Sequence, residues 1–161
     1  LPSRGAHFTF WLLAAGGLAL DLWSKWAVFR WLEREDLSSV SLIDGFLRFV
    51  MALNNGAAFN IAAGRSTLLI AVSVIALGVV LGLFFFSGNR HRLVHIAFGL
   101  FTAGVCGNLY DRIFNDGLVR DFIDVYWRGH HWPAFNVADS VLCVGVGLLL
   151  ISSFVHAGKD D

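Results

Sequence analysis

The sequence predicts an all-α membrane protein: four transmembrane helices, with a small β-sheet and a short interfacial helix on the outer face. Three observations carry this. The 161 residues are 57% hydrophobic and only 15% charged, whereas a soluble domain has about a quarter of its residues charged to cover a water-facing surface. Apolar stretches at about 8–29, 67–86, 93–110 and 137–155 each approach the ~20 residues that a helix needs to cross a bilayer core. The stretch Thr67–Phe86 (TLLIAVSVIALGVVLGLFFF) carries no charge, so it lacks the polar face that a helix of a soluble bundle turns to water. Residues 1–161 are expected to form one integral-membrane domain, with outer segments at 30–66 and 111–136.

The first stretch runs on through Asp21 and Lys25 with no small-x-small cleavage site before a soluble domain, so it reads as a retained span. The segment that follows is charged at Trp31–Asp36 (WLERED) and then strand-like over Val40–Leu53, where Leu47, Phe49, Met51 and Leu53 alternate with Arg48, Val50 and Ala52. Asn54-Asn55-Gly56 signals a turn. Ala57–Ala63 is expected as a short helix at the interface, and Ser66 or Thr67 as the cap of the second span. Gly78 and Gly82 in that span, and Gly99, Ala103 and Gly107 in the third, form small-xxx-small rows that let helix backbones approach closely in lipid. The outer segment after the third span holds Tyr126, Trp127 and Trp132, which suit the membrane–water boundary. Cys106 and Cys143 both fall in apolar stretches and read as buried spacers.

Four spans put both termini on one side. That side holds Arg4, Lys159 and the basic link Ser87–Arg92 (SGNRHR), which favours the cytoplasm by the excess of Lys and Arg in short cytoplasmic links, although the opposing face carries more Lys and Arg in total, mixed with many acids. The formal net charge is zero, so there is no electrostatic footprint for nucleic acid.

Carboxylates among apolar helices are expensive and therefore functional candidates. Asp139 lies in the first turn of the fourth span, where the helix dipole favours negative charge, and Asn136, three residues before it, shares its face. Asp121 lies in an expected extended approach to the membrane. Two carboxylates a few ångströms apart would share one proton, so that one activates water while the other protonates an amide carbonyl. The alternative is that Asp139 only caps its helix and Asp121 is a solvated loop acid. Asp124 rivals Asp121, because an extended chain turns the two to opposite faces and spacing does not choose between them.

Asp21 and Lys25, at i and i+4, form an expected internally neutralised pair. Asn108, Asp111 and Arg112 share one face of the third span, and the planar fork of Arg112 suits a lipid phosphate or a carboxylate. Asn54 in its turn can orient an acid through its amide hydrogens. His130-His131 with Asp121 and Asp124 upstream raises a metal site, but no HExxH or comparable ligand spacing accompanies them. The serine-elbow pattern G-x-S-x-G is also missing from the sequence.

Five stretches resemble, in order, the motif blocks of the bacterial lipoprotein signal peptidase (signal peptidase II) family. They are Asp21-Leu22-Trp23-Ser24-Lys25, Asn54-Asn55-Gly56-Ala57-Ala58-Phe59, Gly107-Asn108-Leu109-Tyr110-Asp111-Arg112, Val119-Arg120-Asp121-Phe122-Ile123-Asp124 and Phe135-Asn136-Val137-Ala138-Asp139-Ser140. The resemblance covers about residues 10–155. It implies an aspartyl endopeptidase of the bacterial inner membrane that cleaves diacylglyceryl-modified prolipoproteins before the lipidated cysteine. It also implies cytoplasmic termini, an active site towards the periplasmic face, no cofactor or metal, and a monomer in contact with membrane lipid. By the family motifs the catalytic pair falls on Asp121 and Asp139. Asn54, Gly56, Asn108, Arg112 and Asn136 match positions that shape the site or contact substrate, while Asp21 and Lys25 match the first-span motif. Ala103-Gly104-Val105-Cys106 replaces a more glycine-rich run, and Arg120 stands where an apolar residue is usual.

Two other classes have weaker support. Asp116-Gly117 with Asp121 and Asp124 resembles the acidic motif of CDP-alcohol phosphotransferases, which are lipid-headgroup transferases, but the spacing differs. An acid-relay ion carrier would need acids near mid-membrane, and the acids here are expected at the ends of spans or beyond.

Overall fold

The computed structural model describes residues 1–56, 61–86, 88 and 91–157. The described residues form four helices and four strands, in the order α1 (Arg4–Arg34), β1 (Ser39–Ile43), β2 (Leu47–Asn54), α2 (Ser66–Phe86), α3 (Arg92–Phe114), β3 (Val119–Trp127), β4 (His130–His131) and α4 (Val137–Ala157). All four helices are long and apolar enough to cross a membrane, and the chain is a multi-pass membrane protein.

Helices α1 and α3 exceed the expected spans most. Helix α1 starts at Arg4, where Ser3 Oγ accepts from the Ala6 N–H at 3.1 Å, and it continues through the good helix formers Leu32, Glu33 and Arg34. It stops before Asp36, whose φ is +53°. Asp21 therefore sits well inside a helix rather than near its end. Helix α3 likewise runs to Phe114, four residues past the expected boundary, which brings Asp111 and Arg112 inside it.

Helix α3 is the central element, packed against α1, α2 and α4. A methyl group at Gly99 would lie 2.8 Å from the Phe10 carbonyl oxygen, and one at Gly104 would lie 2.5 Å from that of Ala138. Bare backbone at these points is what lets α1 and α4 close on α3. The glycine row of α2 behaves differently. Gly78 and Gly82 have nothing within 4 Å, so that row does not join helices of this chain; α2 instead inserts Val80 and Phe84 beside Phe10, Ala14, Val94 and Phe98.

The strand-like stretch 40–53 is a hairpin rather than one strand. Gly45, with φ +78°, turns β1 back into β2. The sheet is antiparallel in the order β1-β2-β3-β4. A register shift between Phe49 and Ala52 against β3 breaks the simple alternation expected there: Phe49 packs with Phe122, Val28 and Leu32, while Met51 and Leu53 remain exposed. Of the expected short helix at Ala57–Ala63, residues 57–60 lie outside the described residues, and residues 61–64 form a turn. The cysteines are unpaired. Cys106 is half-buried and Cys143 is exposed, so the expectation of two buried spacers fails for Cys143.

Candidate active site

Strand β3 and the start of α4 bring Asp121 and Asp139 to one cleft of about 810 Å³, which Asn54, Asn108, Arg112, Phe135, Leu142 and Cys143 also line. Asn136 joins the two acids. It is the N-cap of α4, and its side-chain oxygen accepts from the Asp139 N–H at 2.9 Å while Asp139 Oδ2 accepts from the Asn136 N–H at 3.2 Å. This reciprocal pair is a capping box with Asp in the third helical position. The remaining amide end of Asn136 donates to Asp121 Oδ1 at 2.7 Å and to Asn108 Oδ1 at 3.1 Å.

The other amides are oriented just as firmly. Asn54 Oδ1 accepts from the Gly56 N–H at 2.9 Å, which turns its Nδ2 towards Asp121 Oδ2 at 3.0 Å. Asn108 Oδ1 accepts from Lys25 Nζ at 3.1 Å, and its Nδ2 donates to Asp139 Oδ1 at 2.7 Å. Each aspartate thus receives two hydrogen bonds from groups fixed by a further partner. Burial, followed by the negative charge of Asp139, pushes the Asp121 carboxyl up to about 7, against the hydrogen bonds from Asn54 and Asn136 and the charge of Lys25.

Arg112 is buried beside the cleft. It donates to the Gly56 carbonyl oxygen at 2.9 Å and to that of Asn108 at 3.4 Å, so it braces the Asn54 turn against α3 rather than forking onto a carboxylate. Gly56 matters here through its carbonyl and its N–H. Asp21 and Lys25 form the expected ion pair at 2.7 Å, fully buried, but the pair is part of a larger network. Lys25 also meets Asp111 at 3.2 Å, and Arg120 meets Asp111 at 2.6 Å. Asp21 further accepts from the Ala138 N–H at 2.8 Å, tying α1 to the first turn of α4.

Asp124 points away from the cleft. It pairs with Arg48 at 2.5 Å and with His131 Nδ1 at 3.0 Å, and His131 stacks on Tyr126. His131 therefore serves this ion pair on the other side of the strand, and the described residues hold no group of three metal-ligating side chains. Sequence reading missed the roles of Asp111 and Gly104, whose partners lie on other elements.

The model of the family described as signal peptidase (SPase) II matches residues 13–155. The chain belongs to the signal peptidase II family. It is 42% identical over 139 residues to a lipoprotein signal peptidase of Geobacter sulfurreducens, covering 84% of this chain and 85% of that one. It is 39% identical to one from Rhodopirellula baltica, over 94% and 77% of the two chains. Its fold is similar to that of a bacterial membrane enzyme solved by the in meso method at 2.3 Å resolution, with TM-score 0.81, 29% identity, and coverage of 93% and 90%. As a signal peptidase II family member the chain is a membrane-embedded peptidase, a hydrolase; residues of four of the five motif blocks line its cleft, and the first block stands behind them, with Lys25 on Asn108.

Proposed function

We propose that the chain removes the signal peptide from diacylglyceryl-modified prolipoproteins, cutting before the lipidated cysteine with Asp121 and Asp139 as the catalytic pair. The observation that carries this is the pairing of the two acids across Asn136, in a cleft whose apolar wall includes Phe135 and Leu142. With Asp121 held up to about 7, this carboxyl keeps its proton in a large share of molecules near neutral pH. The neighbouring Arg112 cation offsets negative charge in the cleft, where low-dielectric surroundings make an uncompensated carboxylate costly.

In the proposed reaction, Asp139 accepts a proton from water as the oxygen attacks the scissile carbonyl carbon, and protonated Asp121 passes its proton to the carbonyl oxygen. The tetrahedral intermediate then collapses: the C–N bond breaks, Asp139 gives its proton to the leaving amine, and Asp121 recovers the hydroxyl proton. No covalent bond to the protein forms. Acyl chains of the substrate lie along the apolar wall, where each buried methylene contributes about 0.8 kcal/mol, and this places the peptide bond at the acids.

The termini and the basic link 87–92 face the cytoplasm, which puts the sheet, the turn at Asn54-Asn55-Gly56 and the cleft mouth towards the periplasm. The protein acts as a monomer in the inner membrane. Incubating the purified protein with a lipidated prolipoprotein and with its unlipidated twin tests the reading. Cleavage of the first alone is expected; equal cleavage of both, or of neither, contradicts it.

A further inference from the structure

Arg120, on β3 next to Asp121, has a specific partner in the structure. Its Nε and Nη2 both reach Asp111 Oδ1, at 3.2 and 2.6 Å, while its backbone N–H donates to Asp111 Oδ2 at 3.0 Å. Asp111 is fully buried, and its other cationic partner is Lys25, 3.2 Å away. Lys25 is shared three ways, among Asp21, Asp111 and the side-chain oxygen of Asn108. The last contact leads directly to the acids, because Asn108 holds Asp139, while Asp21 holds the Ala138 N–H in the turn that carries Asp139.

We propose that Arg120 is a positioning residue for the reaction: by taking up the Asp111 carboxylate it leaves the Lys25 ammonium to anchor Asn108, and through Asn108 the carboxylate of Asp139. The inference rests on the catalytic pair proposed above. The charged groups around that pair are Arg112 and Asp111 on α3, Lys25 and Asp21 on α1, and Arg120 on β3; Arg48 and Asp124 pair on the other side of the sheet. Without the guanidinium, the acids Asp21 and Asp111 divide one ammonium between them. Lys25 is drawn from Asn108, and the surroundings of the dyad become more negative, so the dyad keeps its proton to higher pH.

The test uses full-length Arg120→Met, Arg120→Lys and the double variant Arg120→Met/Asp111→Asn, assayed on a lipidated prolipoprotein across pH. Arg120→Met is expected to lower kcat by about tenfold with KM little changed, as misplacement of a reacting group does, and to move the alkaline limb of the rate profile up by about half a pH unit. Arg120→Lys, which keeps the charge but not the fork, should restore the limb if not the full rate. The double variant should restore it too, because the acid that competes for Lys25 has gone. A parental pH profile in Arg120→Met, or a displaced limb that neither the lysine nor the double variant corrects, overturns the proposal. If Arg120→Met does not fold, Arg120→Lys with a displaced limb overturns it, and with a parental limb supports it. Asp121→Asn separates the two readings: turnover by that variant defeats the catalytic pair itself, whereas an inactive Asp121→Asn beside a parental Arg120→Met defeats only the role of Arg120.

Discussion

The side-chain amide of Asn136 donates to Asp121 at 2.7 Å. The same side chain, through its oxygen, caps the helix that carries Asp139, so one residue sets both the position of one acid and the start of the other's helix. Asn136→Ala removes a charge-directed donor, which is expected to lower kcat by about a hundredfold or more. It also removes a cap, costing about 1 kcal/mol. Asn136→Asp keeps the cap but adds a third carboxylate against Asp121, and should recover stability at low pH without recovering activity. Rates and thermal unfolding of the two variants check this; an Asn136→Asp enzyme of parental activity contradicts it.

Activity should fall as pH rises through about 7, the value to which burial and Asp139 push Asp121, because the ionised acid can no longer give its proton to the carbonyl oxygen. The stability linkage has a definite sign. The folded-state value lies above the unfolded one of about 3.9, so the contribution of Asp121 is fully present below that pH and is lost as pH rises through about 7. Asp121→Asn should therefore raise the unfolding temperature in detergent more at pH about 8 than at pH about 5. An equal change at both pH values contradicts the assignment.

Lys25 is fully buried between Asp21 and Asp111. Lys25→Met would leave two buried carboxylates with only Arg120, and breaking such a network by removing one partner costs about 3–5 kcal/mol. A large drop in unfolding temperature is expected, with loss of activity following the loss of fold. A Lys25→Met protein as stable as the parent would show that the network is not charged as described.

The four spans and the presence of a sheet segment between the first two were legible in the sequence because they depend on local signals: apolar runs, alternation and a turn at Asn54-Asn55-Gly56. What was not legible depends on partners far along the chain. Asp21 and Lys25 read as a closed i,i+4 pair, yet Lys25 reaches Asn108 and Asp111, over 80 residues away. Arg120 read as a departure of uncertain meaning until Asp111 appeared beside it. The hairpin turn at Gly45 was hidden because Asp44-Gly45 sits inside an otherwise strand-like run. Asp121 and Asp124 could not be separated by spacing, since choosing a face of β3 requires knowing that Arg48 and His131 occupy one of them.

The central claim is tested most directly by single-turnover cleavage of a lipidated prolipoprotein by Asp121→Asn and Asp139→Asn, each shown to be folded and to bind the substrate. Both variants are expected to bind it and to yield no signal peptide above background. Cleavage by either one at a rate near that of the parent would contradict the account.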